Sequence, residues 1–147
     1  MGCSSGPAAA FTLGWFRPDL FGRIIIYSPT LVAQQNPRAP EAAMYPLGAW
    51  EYHSSMELIK NDTRMRKKFL WILLAVDEND NCSTAPESGH HNGVIANQRT
   101  AAALKAKGYH YKFVLGLGQG HCAAKVKAAT LADALIWAWR GYQPTEN

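Results

Sequence analysis

Three short apolar runs organise this chain. Residues 22–27 read GRIIIY, residues 69–76 read FLWILLAV and residues 109–115 read YHYKFVL. The first two are nearly continuous and do not alternate, the pattern of parallel strands covered on both faces. Helical segments fit between and after them. Residues 7–16 open with Pro7 at a first-turn position, where its missing N–H costs nothing, and Ala8, Ala9 and Ala10 predict a close approach to a sheet. A second helix is expected over residues 50–60. A third covers residues 93–107, with Lys105 and Lys107 near its C-terminus and Gly108 as its stop. The last covers residues 122–139, where Ala124, Ala128, Leu131, Leu135 and Ala138 recur at helical spacing.

The order is turn–helix–strand–helix–strand–helix–strand–helix, with no internal repeat. This predicts an α/β fold: three αβα layers around a mostly parallel sheet, in one domain spanning residues 1–147. Two irregular stretches interrupt it, residues 28–48 with four prolines and residues 77–92 with many small polar residues. Each follows the end of a strand, and open parallel sheets build their sites at the carboxyl ends of strands.

Composition narrows the class. The chain has 147 residues, of which 48% are hydrophobic and 18% charged, so it is long and apolar enough to bury a core. The net charge of +4 comes from scattered residues apart from Arg64, Arg66, Lys67 and Lys68. That cluster reads as a solvated strand entry, not as the broad basic stripe that nucleic acid needs, so no nucleic-acid partner is expected. No apolar stretch approaches the roughly 20 residues of a membrane span. Cys3, Cys82 and Cys122 give an odd count without framework or zinc-finger spacing, which argues for free buried thiols or a reducing compartment.

Three segments carry candidate chemistry. Gly2-Cys3-Ser4-Ser5-Gly6 reads G-x-S-x-G, the pattern of a nucleophile elbow, in which a serine sits on a tight strand-to-helix turn. Glycines at 2 and 6 are expected because a side chain at either position would clash there. The N–H of Ser5 would supply one oxyanion donor at the start of the helix. The competing reading is a small, pliant Gly/Ser terminus. Asp77, Glu78 and Asp80 follow the second apolar run, and one of them could orient a histidine; taken alone, they read first as a solvated acidic loop. His121 closes Gly116-Leu117-Gly118-Gln119-Gly120-His121, a glycine-rich turn after the third run, and could serve as general base. Neither a P-loop nor G-x-G-x-x-G is matched, which argues against a phosphate cradle. Together the segments occur in the order serine, acid, histidine, as in α/β-hydrolases.

At this point the chain resembles the esterase branch of the α/β-hydrolases that includes enterochelin esterase and esterase D. The stretches that carry the resemblance are GCSSGPAAAFTLGWFRPDLFGRIIIYSPT, FLWILLAVDENDN, NGVIANQRTAAALKAKGYHYKFVLGLGQGH and ALIWAWRGY. The resemblance implies Ser4 as nucleophile, His121 as base and Asp80 as acid, ahead of Glu78 and Asp77. Asp77 stands where the family often has glycine, and Pro7 stands where a second glycine is common. It implies hydrolysis of a small-molecule carboxylic ester through an acyl-enzyme, with no cofactor or metal required. The segment 28–48, with Tyr45 and Trp50, is expected to wall the substrate pocket.

In the family a longer strand and further strands precede the elbow, so the chain is expected to be a hydrolase's C-terminal half. Its location would be cytoplasmic if Met1 is the true start, and secreted or periplasmic if a leader precedes it. A second copy could cover the open sheet. The alternative expectation is a catalytically inactive remnant that binds a partner through that sheet edge.

Overall fold

A computed structural model describes residues 1–32, 59 and 70–143. Four strands form one wholly parallel sheet in the order β1-β2-β3-β4, with β1 at Gly2–Ser4, β2 at Arg23–Pro29, β3 at Trp71–Asn79 and β4 at His110–Gly120. Helices α1 (Ser5–Phe16), α2 (Gly93–Ala106) and α3 (Ala124–Ala138) accompany them. A single 3-10 turn at Glu87–Gly89 lies in the connection from β3 to α2.

Side-chain alternation on the central strands makes the three layers. Ile24 and Ile26 of β2 and Ile72 and Leu74 of β3 share a buried cluster with Phe11 and Trp15 of α1 and Ala96 and Leu104 of α2. Ile25, Tyr27, Leu73 and Ala75 point to the opposite face, where they meet Ala134 and Ala138 of α3. A strand buried on both faces has no polar positions to alternate with, which is why the first two runs are continuous. Parallel register places Ile24 beside Ile72 and Leu74 beside Phe113. Gly14 lets α1 approach β2 closely, because a Cβ there would collide with the Ile24 side chain and lie 3.2 Å from the Phe21 carbonyl oxygen.

The α/β architecture matches the sequence expectation, and four details differ. The serine turn is preceded by a strand of its own: Gly2 and Cys3 pair with Ile26 and Tyr27. The glycine-rich stretch after the third run is strand, since β4 continues to Gly120. On α3 the buried residues are Val126, Ala134 and Ala138, whereas Ala124, Ala128 and Leu135 of the expected stripe are exposed. Alanine adds too little apolar surface to fix the phase of a helix, so Val126 and the fit to Tyr27 and Leu73 decide it. The glycines at 2 and 6 are not sterically required: a Cβ at Gly2 would sit 3.4 Å from Pro7 and one at Gly6 would meet nothing within 4 Å. The expected helix at 50–60, Ile59 apart, and Tyr45 and Trp50 lie outside the described residues.

Candidate active site

All three segments singled out in the sequence reach the carboxyl end of the sheet. Ser4 ends β1 and caps α1 with φ 72° and ψ −124°. A positive φ is costly for a residue with a Cβ, about 1–3 kcal/mol, and such positions persist where the surroundings dictate them. Here β1 must stop and α1 must start within one residue. The Ser4 carbonyl accepts from the Thr30 N–H at 3.0 Å, and the Ser4 and Thr30 hydroxyl oxygens are 3.4 Å apart. Ser5 is the first residue of α1, so its N–H belongs to the first turn, whose amides find no acceptor within a helix.

The three acids at the end of β3 separate by their contacts. Asp80 is 5% exposed, and its Oδ1 lies 2.5 Å from Nδ1 of His121. The same oxygen accepts the Asn81 N–H at 2.7 Å, which fixes the carboxylate against its own backbone. As a carboxylate, Asp80 accepts the Nδ1 proton and leaves the Nε2 lone pair of His121 to act as a base. Asp77 is 3% exposed and faces elsewhere. Its Oδ2 accepts from the Ser28 hydroxyl at 3.2 Å and from the Ala123 N–H at 3.0 Å. The Ser28 oxygen in turn accepts the Cys122 N–H at 3.2 Å. Asp77 and Ser28 therefore hold the turn that carries His121. Glu78 accepts the Gly118 N–H at 2.7 Å on the exposed surface and does not join the other two.

Local packing keeps these roles apart. Gly116 pairs with Asp77 in register, and a Cβ there would lie 2.5 Å from Asp77 Oδ1 and 2.6 Å from Val126. Any other residue at 116 would push the Asp77 carboxylate off its partners. The loop after Asp80 is fastened by Asn92, whose amide donates to the Ser83 and Ala85 carbonyls at 2.7 and 2.9 Å while its oxygen caps α2 through Ile95 N–H. In the same loop, burial pushes the His90 imidazole below its ordinary value, with Arg99 acting in the same direction and Glu87 opposing.

A covalent link joins the serine strand to the histidine turn. Cys3 and Cys122 form a disulfide across 119 residues of sequence, with their Cα atoms 5.8 Å apart. They immediately precede Ser4 and follow His121, so the Cα atoms of those two residues are no more than about 13 Å apart. A ring nitrogen of His121 and the Cys3 sulfur lie within 4.8 Å of each other. This corrects the sequence expectation of free thiols: of the three cysteines only Cys82, which is exposed, is free. Odd counting and local spacing could not find the pair. The signal that points to it is the placement of one cysteine before the candidate nucleophile and one after the candidate base. Ser28 and Thr30, which hold the site together, carry no local motif at all.

Neither a scan against protein-family models nor a search of curated proteins finds a match for this chain. Among the described residues, no helix is long and apolar enough to cross a membrane.

Proposed function

We propose that this chain is a serine hydrolase of small carboxylic esters, acting through Ser4, His121 and Asp80. The observation that carries the reading is the buried Asp80 carboxylate 2.5 Å from Nδ1 of His121, at the same end of the sheet as a serine in a positive-φ strand-to-helix turn. The order of the residues and the resemblance to esterases of the α/β-hydrolase type support it further.

In this reading His121 Nε2 takes the Ser4 hydroxyl proton as Ser4 Oγ attacks the ester carbonyl. Asp80 keeps the proton on Nδ1 and stabilises the imidazolium that forms. The Ser5 N–H and the start of α1 favour the developing oxyanion. Collapse of the tetrahedral intermediate expels the alcohol, which leaves with the proton from His121. Water, activated by the same imidazole, then releases the acid from Ser4. Asp77 and Ser28 position the His121 turn without touching the substrate.

The test is hydrolysis of p-nitrophenyl acetate by the whole chain and by Ser4→Ala. The expected outcome is turnover by the native chain and a loss on the order of 10⁴- to 10⁶-fold in the variant. Equal rates in the two proteins would reject Ser4 as nucleophile. A folded, soluble chain without any turnover would favour the alternative, an inactive binding module; the exposed Leu115 and Leu117 of β4 are the surface it would use.

A further inference from the structure

The Cys3–Cys122 pair and His121 form a group with a second chemical capacity. The two sulfurs and a ring nitrogen of His121 all lie within 4.8 Å of one another, and all three residues are only partly buried. With the sulfurs bonded to each other, neither is a thiolate. We propose that reduction of this disulfide converts the corner into a Cys₂His site that takes Zn²⁺.

The ligand set suits the ion. Two thiolates and an imidazole are the donors of three-ligand zinc sites, which leave a fourth position to water. Zinc–sulfur bonds of about 2.3 Å hold two thiolates about 3.8 Å apart in a tetrahedral site. Two cysteines whose Cα atoms are 5.8 Å apart can reach that spacing by side-chain rotation alone. A small cavity of about 10 Å³ is lined by Cys3, Cys122, Asp77, Ser28 and Lys127 among others. Asp80 holds Nδ1 of His121, so Nε2 is the nitrogen left for the metal, with a carboxylate behind the imidazole as zinc-binding histidines have. No sequence spacing announces the site, because the two cysteines are 119 residues apart.

The chemistry balances with a dithiol as reductant. It donates two electrons and two protons, the sulfur–sulfur bond breaks, two protein thiols form, and the dithiol closes to its own disulfide. Zn²⁺ then replaces both thiol protons, which pass to solvent. The binding does not depend on the reaction proposed above. Its consequence does: a metal on His121 Nε2 removes the base, so the reduced, zinc-loaded chain would not turn over ester.

The whole chain would be reduced with dithiothreitol, desalted without oxygen and titrated with Co²⁺ as a spectroscopic stand-in. The expected result is saturable thiolate-to-cobalt absorption with tetrahedral visible bands, erased by added Zn²⁺. The unreduced chain should show none, Cys122→Ser and Cys3→Ser should each lose the thiolate bands, and Cys82→Ser should keep them. Reduced native protein without such bands, or bands that survive in Cys122→Ser and vanish in Cys82→Ser, would overturn the proposal. Comparison of oxidised with reduced native chain needs no variant to fold. No substrate is present, so failure of the metal site and failure of the esterase reading are separate results.

Discussion

Asp77 and Asp80 lie three residues apart at the end of β3, both are buried, and they face different tasks. Asp77 still belongs to the strand. Its register partner Gly116 leaves space for its carboxylate, which collects a hydroxyl and a backbone N–H from the β2 end and the β4–α3 turn. Asp80 lies past the end of the strand, where its N–H turns back to the Asp77 carbonyl at 3.1 Å, and that turn swings its carboxylate onto His121. One acid shapes the backbone around the site and the other meets the imidazole. Charge and burial are nearly the same for the two; position relative to the last strand hydrogen bond separates them.

Substitutions can break this contrast. Asp80→Asn keeps the size of the side chain but removes the acceptor that fixes the His121 tautomer. The expected outcome is a loss of about 10,000-fold in kcat for ester hydrolysis with the thermal unfolding transition nearly unchanged. Asp77→Ala should show the reverse emphasis. It strands the buried Ser28 hydroxyl and the Ala123 N–H, so chemical denaturation should report a stability loss of about 1–3 kcal/mol, with a smaller fall in kcat than Asp80→Asn gives. Glu78→Gln is the control within the same cluster. Its contact with Gly118 is exposed, so both stability, within about 0.5 kcal/mol, and turnover should stay near native. If Asp77→Ala abolished turnover in a stably folded protein while Asp80→Asn did not, the two roles would have to be exchanged.

The sequence made the layered sheet legible because continuous apolar runs have few other uses in a globular domain of this size. The beginnings of β2, β3 and β4 and the span of α2 were readable on that basis. β1 was not: Gly2-Cys3-Ser4 has no strand pattern, and it is a strand only because Ile26 and Tyr27 offer it an edge. The phase of α3 was not readable, since alanines on several sides weigh almost equally. At the candidate site, Ser4, the acidic cluster and His121 were visible as residue types in the order serine, acid, histidine. Which acid meets His121 was visible only through the resemblance, because three carboxylates in four positions differ by turn geometry and not by composition. The disulfide and the Ser28–Asp77 network were hidden because they join residues remote in sequence.

The most direct test of the account is covalent labelling of the whole chain with a fluorophosphonate, the adduct located by mass spectrometry. The account predicts a single phosphonyl group on Ser4, lost in His121→Ala and strongly slowed in Asp80→Asn. A folded, soluble chain that takes no label, or that takes it on Ser5 or Ser28 in place of Ser4, would contradict it.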